Sequence, residues 1–291
     1  MHPLPSPAAW NLDPLTLAGL VALLAGFWVV TGPLTRRYVP DQRLSRGRVL
    51  AFLSGWVLLA LVVVTPVDTL GRYYLFSAHA FQVFVIATCV APLLLAGVPE
   101  WVAWTLLRTR GMRDATRGFA FTLLATFLFN ALILIWHVGP LYEAAARNAG
   151  AHNLSLLFFL VAGCIGWWPV MTPLDRHTRL ASPAQIIYVA LNSLPLDIFG
   201  IFILFAGHLL YPLYASAPIV FGLSHTVDQA IGGGILAVPN TIIDVVIMSL
   251  AFFGWMQRSE RAQIEREIAE YADEMPAPLD ATVLNSTDAQ G

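Results

Sequence analysis

The chain has 291 residues, of which 57% are hydrophobic and only 12% are charged. Soluble domains carry about 25% charged residues, so the composition indicates an integral membrane protein rather than one or two soluble domains. All 16 basic residues are arginine, which excludes a lysine Schiff base and therefore a retinal-binding photoreceptor.

Seven apolar segments are long enough to cross a membrane, because a hydrocarbon core of about 30 Å requires about 20 helical residues. In chain order they cover residues 14–32, 48–66, 75–97, 119–137, 152–172, 183–206 and 229–256. No arginine precedes the first segment, and its apolar run is long for a cleavable signal peptide, so we expect it to remain as a helix. We therefore predict an all-α, polytopic bundle of seven transmembrane helices in contact with the lipid bilayer.

The arginines are distributed unequally between the two sets of loops. Fourteen lie in the loops after spans one, three and five or in the C-terminal tail, and the opposite loops hold only Arg72 and Arg147. The positive-inside rule then predicts an N-terminus outside and a C-terminus in the cytoplasm. We divide the chain into a seven-helix transmembrane domain, residues 1–257, and a cytoplasmic tail, residues 258–291, which we expect to be helical at first and disordered beyond Pro276.

Five of the seven histidines fall at the predicted outer boundary, one from each of spans three to seven: His79, His137, His152, His208 and His225. Neutral imidazole binds copper, zinc and iron well, so several imidazoles at one depth on neighbouring helices make a metal site possible. The alternative is that histidine, being amphipathic, simply suits the membrane interface. His208 is the weakest candidate, since it has no polar partner at helical spacing.

The segment H-T-V-D-Q places His225 and Asp228 three residues apart, on one face of a helix. The carboxylate could be a metal ligand or could orient an imidazole. We predict a metal site formed by a set that combines the stronger histidines with this acid: His79, His137, His152, His225 and Asp228. We expect the turn of Asp228 and Gln229 to face an outward-opening cavity shared with His79, His137 and His152.

Two further features lie deeper in spans six and seven. Asp197 and Asp244 are acids inside apolar runs, which suggests either a proton or ion relay or hydrogen-bonded packing groups, paired with Asn130 or Asn192. The run Gly232 to Gly234 would let another helix approach closely, and an unwound segment lining a cavity is the alternative.

Four stretches of the chain carry a resemblance to a known family: HAFQVFVIATCVAPLLLAGVP from His79, WHVGPLYEAA from Trp136, HNLSLLFFLVAGCIGWWPV from His152 and DQAIGGGI from Asp228. In order and spacing they resemble the H-x-x-Q, W-H-x-P, histidine-to-W-W-P-V and D-Q-x-x-G-G segments of the CtaG family. That family comprises seven-helix assembly factors for caa3-type cytochrome c oxidases. Val83, Ser155 and Leu156 depart from the family pattern, which usually has histidine, glutamate and histidine there.

The resemblance implies a role in maturing a copper-containing oxidase in the bacterial inner (plasma) membrane, by delivering or inserting copper on the outer side. It implies copper as the metal and cytochrome c oxidase subunits as partners. We see no hydrolase-type nucleophile motif, phosphate loop or nucleic-acid patch, so we expect neither an enzyme nor a nucleic-acid partner. Two alternatives stay open: a membrane cytochrome b with haem held by outer histidines, and a small-solute transporter using Asp197 and Asp244.

Overall fold

The computed structural model describes residues 4–40, 44–106, 111, 119–171, 180 and 182–274. The α-helices of this part of the chain are, in order, α1 (Pro14–Tyr38), α2 (Arg46–Val64), α3 (Pro66–Tyr73), α4 (Phe76–Gly97), α5 (Glu100–Leu106), α6 (Ala120–His137), α7 (Gly139–Arg147), α8 (Ala149–Met171), α9 (Ser182–Leu204) and α10 (His225–Glu274), and a 3-10 helix, Pro212–Ser216, lies between the last two. Seven of them are long and apolar enough to cross a membrane, and α3, α5 and α7 are shorter. The predicted seven-helix fold is confirmed.

The last span begins earlier than the apolar run suggests. Its helix starts at His225 rather than at residue 229, because the Ser224 hydroxyl accepts a hydrogen bond from Val227 N at 3.4 Å and caps the first turn. The helix then continues without interruption to Glu274, so the predicted domain boundary after residue 257 falls within it. The predicted disorder beyond Pro276 concerns residues outside the described part of the chain.

Two short helices that the apolar pattern did not predict join consecutive spans at one end of the bundle. Helix α3 links α2 to α4 and begins at Pro66, behind a Thr65 hydroxyl that accepts from Val67 N at 3.4 Å. Helix α7 links α6 to α8 and has Pro140 in its first turn. Proline favours this position because its fixed φ is already helical and no N–H is lost. The two helices bring Asp68 and Tyr142 to the same end of the bundle as His79 and His137.

Helix α4 is the centre of the bundle. In its most apolar stretch 67% of the residues are buried within the protein, against 6% for α1, which therefore lies at the periphery. Close approach to α8 depends on Gly163, where an added Cβ would lie 2.6 Å from Ala87 O. Part of α4, Val85–Val90, is π-helical, and the Ala87 carbonyl accepts a hydrogen bond from Trp167 Nε1 at 3.0 Å.

Helices α9 and α10 pack antiparallel, and glycine makes their contact possible. A Cβ added to Gly233 would lie 2.5 Å from Leu204 N, and one added to Gly232 would lie 2.4 Å from Phe76 Cδ1 of α4. Around Gly234, by contrast, nothing lies within 4 Å. The glycine run is therefore a continuous helical segment that admits two neighbours, as predicted, and not an unwound one.

Candidate metal centre

His79 and His137 lie side by side within the end of the bundle where α3 and α7 lie. His79 is in the first turn of α4, and His137 is the last residue of α6, whose final turn is a 3-10 helix. Their ring centroids are 5.4 Å apart and both side chains are buried, with relative exposures of 8% and 5%. The Nε2 atom of each ring has no hydrogen-bond partner among the described residues. Buried polar atoms are nearly always paired, so these two nitrogens require an explanation.

The hydrogen bond made by His137 determines its tautomer. Its Nδ1 lies 2.9 Å from the carbonyl oxygen of Ile133, one turn earlier. A carbonyl oxygen can only accept, so Nδ1 carries the hydrogen and a neutral ring then has its lone pair on Nε2. This is the form in which histidine binds a metal, with the second nitrogen held by a backbone carbonyl.

His152 stands next to this pair and is held by an acid that sequence reasoning missed. From the first turn of α8, its Nε2 donates to Asp68 Oδ1 at 2.7 Å. Asp68, on α3, also accepts from Gln82 Nε2 at 2.8 Å and from Asn11 Nδ2 at 2.9 Å. Its relative exposure is 2%. In the sequence Asp68 lies two residues after Pro66, in a polar segment between two apolar runs, where an acid attracts no notice.

The N-terminal segment 4–13 is fastened over α3. Thr69 Oγ1 donates to Ala9 O at 2.9 Å, and Asn11 Nδ2 reaches both Asp68 and, at 3.1 Å, Val63 O. Tyr74 Oη donates to Pro5 O. Backbone and amide groups therefore shield the buried carboxylate of Asp68 from solvent at this end of the bundle.

A group of tyrosines forms the remaining wall. Tyr214 Oη donates to Gly71 O at 2.6 Å, so its own oxygen accepts the hydrogen of Tyr142 Oη at 2.5 Å. Tyr211 Oη donates to His137 O at 3.1 Å. Burial raises the pKa of Tyr142 and Tyr214 well above the ordinary value, and the pKa of Tyr211 also rises for that reason. These phenols are therefore neutral hydrogen-bond donors at physiological pH.

Among these side chains is a cavity of about 10 Å³. Its walls include His79, Trp136, Tyr142, His152 and Ser155. Such a volume holds about one water molecule or one ion. Trp136 also borders the cavity, and its buried Nε1 donor has no hydrogen-bond partner among the described residues.

Asp228 lies apart from this cavity and has a structural role. Its carboxylate accepts from Phe76 N at 2.6 Å, from Ser77 N at 3.3 Å and from the Ser77 hydroxyl, so it caps the start of α4 from another helix. Gln229 accepts from Leu210 N at 2.7 Å and donates to His208 O at 2.9 Å. The turn therefore contacts neighbouring protein, but neither of its side chains borders the cavity that His79 and His152 line.

The five predicted ligands thus divide into two groups. His79, His137 and His152 are together, whereas His225 is half-buried at the start of α10, beside Asp228. Among the described residues, no group of three or more His, Cys, Asp or Glu side chains has the geometry to hold a metal ion. The five-residue metal site remains a prediction, and the structure offers a pair of free imidazoles as its centre.

The spacing of that pair is compatible with a shared ion. Two imidazoles with metal–nitrogen distances of about 2.0 Å place their ring centroids roughly 5 to 6.5 Å apart over the usual range of bond angles. The observed separation of 5.4 Å lies within that range. A third ligand would have to come from His152, from a molecule in the cavity or from a partner protein.

Comparison with known proteins identifies the family. A sequence profile described as cytochrome c oxidase caa3 assembly factor (Caa3_CtaG) matches residues 25–258, which is most of the chain and includes all three clustered histidines. The chain belongs to this family. The resemblance noted in the four sequence stretches is therefore confirmed.

Other similarities to this CtaG-family chain are weaker. The purine ribonucleoside efflux pump NepI of Salmonella paratyphi A, Salmonella typhimurium and Salmonella typhi is 26% identical over 204 residues, covering 65% of this chain and 50% of the pump. The chain spans about half the length of these curated relatives. No solved structure matches it.

The departures from the CtaG pattern lie in the interior. Val83 and Leu156 pack in the hydrophobic core, and Ser155, which borders the cavity, donates to His152 O at 2.7 Å. At these positions this CtaG-family chain has apolar or small side chains, so the interior offers fewer metal-binding groups than the usual histidine and glutamate would provide. The imidazoles of His79 and His137 keep their free nitrogens despite this.

A second polar cluster lies deeper, between α9 and α10. Asn240 Nδ2 donates to Asp197 Oδ1 at 3.3 Å and to Asp244 Oδ2 at 3.2 Å, and Asn240 Oδ1 accepts from Thr88 Oγ1 at 3.1 Å. The amide partner of both acids is therefore Asn240 and not the predicted Asn130 or Asn192. Asn130 instead donates to the backbone of Asn192 at 2.9 Å. These hydrogen bonds give both acids a partner within the helix pair, as expected of packing groups.

Proposed function

We propose that this member of the cytochrome c oxidase assembly factor family handles copper at the outer face of the bacterial plasma membrane, for insertion into the oxidase. The observation that carries the proposal is the buried pair of imidazoles, His79 and His137, with adjacent rings and two unpartnered Nε2 atoms. Copper is the cargo, held transiently, and the oxidase subunits receive it. The protein need not turn over a substrate.

The arginine distribution supports the outer location. In the sequence, 14 of the 16 arginines fall in the loops after spans one, three and five or in the segment after span seven, and the positive-inside rule assigns these to the cytoplasm. A copper centre on the outer side of an oxidase would then receive its metal on the side of the membrane where His79 and His137 lie. The family, the pair and its side of the membrane are mutually consistent.

The size of the cavity speaks against the haem alternative. A haem held by two histidines would need a slot for the macrocycle between the rings, whereas the cavity beside them measures about 10 Å³. The walls are packed aromatic side chains, including Tyr142 and Phe159. The 26% identity to half of an efflux pump likewise does not favour a transporter over an assembly factor.

Replacement of the pair tests the proposal. We expect His79→Gln and His137→Gln, in cells that depend on the caa3-type oxidase, to lower the copper content and activity of the purified oxidase about tenfold or more. The abundance of the assembly factor in the membrane should stay close to the wild-type level. His208→Gln is the matched control, because His208 is an exposed histidine near the same end of the bundle. Normal oxidase copper with both His79 and His137 replaced would contradict the proposal.

A further inference from the structure

We propose that the end of α10 that extends beyond the membrane docks a partner protein, whose basic amphipathic helix pairs with it as a coiled coil. This inference goes beyond the handling of copper and concerns a different surface, residues 258–274, which we call the tail helix. The positive-inside rule assigns this segment to the cytoplasm. Its docking face is a row of apolar side chains, Ile264, Ile268 and Tyr271, which we call the tail stripe.

The tail helix projects away from the bilayer. Helix α10 has 50 residues and runs unbroken from His225 to Glu274, which makes it about 75 Å long. The last predicted span ends at residue 256, so Ile264 lies about 12 Å and Tyr271 about 22 Å further along the helix axis. Headgroups extend only about 6 Å beyond the hydrocarbon core on each side. A helix that continues a membrane span does not also lie flat on the surface, so lipid does not cover the tail stripe.

The tail stripe is exposed in the structure. The relative exposures of Ile264, Ile268 and Tyr271 are 49%, 64% and 74%, and every residue from Arg258 to Tyr271 is exposed. Spacings of four and then three residues place the side chains on one helix face, as positions d, a and d of a coiled-coil heptad. Single exposed apolar side chains are ordinary. A row of them at heptad spacing is the face against which a second helix packs.

The charges beside the tail stripe disfavour a second copy of this chain as the occupant. Two copies inserted in the membrane in the same direction would pair their tail helices in parallel. In this heptad Arg261 is at an a position, where it would face Arg261 of the other copy. Glu260, at a g position, would face Glu265, at an e position. Both contacts bring like charges together, so self-association is opposed at the core and at the edge of the pair.

The same charges define the partner that fits. Glu260 and Glu267 occupy successive g positions along one edge of the tail stripe, and Glu265 lies on the other edge. The sequence of the tail helix holds six acids and three arginines in all. Lysine or arginine at the e and g positions of a partner helix would make attractive pairs with these glutamates. An acid opposite Arg261 would complete the match. The tail helix therefore selects a basic amphipathic helix.

Photo-crosslinking of the full-length protein in the cells that make it identifies the occupant. A benzophenone amino acid replaces Ile268, the membranes are irradiated, and mass spectrometry maps the attachment point of each crosslinked product. We expect a product with a different polypeptide, attached within a helix that has apolar a and d positions and lysine or arginine at e and g. The same replacement at Arg266, on the opposite helix face, is the matched control and should give at least tenfold less product.

Charge reversal tests the selection. Glu260→Lys, Glu265→Lys and Glu267→Lys together should lower the yield from position 268 about tenfold or more, because each attractive pair becomes repulsive. Ala262→Gln is the matched control on the opposite face and should leave the yield unchanged. All four side chains are exposed, so we expect wild-type abundance in the membrane, checked by immunoblotting.

Several results would overturn the inference. They are a crosslink to a second copy of this chain, a crosslink to its own arginine-rich segment 107–118, a crosslink to lipid alone, and no product at all. An attachment point in an acidic or non-helical segment of another protein would also overturn it. So would a yield that the triple charge reversal leaves unchanged, because the contact would then be apolar without selection for a basic partner.

Discussion

Asp228 was expected from the sequence to serve a metal, and its contacts predict a different consequence of removing it. Asp228→Ala deletes the acceptor for Phe76 N, Ser77 N and the Ser77 hydroxyl. The 2.6 Å bond to Phe76 N is buried, whereas Ser77 is half-buried and could be partly solvated. Loss of a charged cap with one buried donor left unpaired should cost about 2–4 kcal/mol.

Thermal unfolding in detergent measures this cost. For a chain of this size we expect the midpoint to fall by roughly 3–7 °C for Asp228→Ala. Asparagine keeps one acceptor oxygen where Asp228 uses two, so Asp228→Asn should cost about 1–3 kcal/mol, less than Asp228→Ala. Copper binding by the Asp228→Asn protein should stay at the wild-type level, and His208→Gln provides the baseline for a surface change. An unchanged midpoint in Asp228→Ala, together with lost copper in Asp228→Asn, would refute the capping role and establish a ligand.

Three further predictions concern stability. Gly233→Ala should cost about 1–3 kcal/mol because its Cβ would lie 2.5 Å from Leu204 N, whereas Gly234→Ala, with nothing within 4 Å, should be neutral or stabilising by up to about 1 kcal/mol; thermal unfolding compares the two. Asn240→Ala removes the amide shared by two acids and should cost about 2–4 kcal/mol in the same assay. The hydrogen bond from Asn153 holds the pKa of Asp13 below its ordinary value of 3.8, so Asp13 contributes stability that is lost as pH falls below about 4; Asp13→Asn should remove that loss, a few tenths of a kcal/mol, from the pH profile of unfolding.

The site could be predicted from the sequence only in part. His79, His137 and His152 could be placed at one depth because each lies at the predicted outer end of its apolar run. A run of about 20 residues must cross the membrane from end to end. Asp68 gave no such signal, because it lies in a polar segment between two runs, where an acid is ordinarily solvated. Its importance depends on His152 and Gln82 meeting it from two other helices, which chain order does not reveal.

The seven spans, their approximate bounds and the shared depth of the histidines followed from the sequence alone, since hydrophobicity over about 20 residues is a local property and the bilayer imposes its length on every helix. Tertiary structure decided which polar groups meet. The rotation of each helix and the path of α3 and α7 depend on packing between distant segments. That packing turned Asp228 toward the start of α4, joined Asp68 to His152 and left the Nε2 atoms of two adjacent imidazole rings without partners among the described residues.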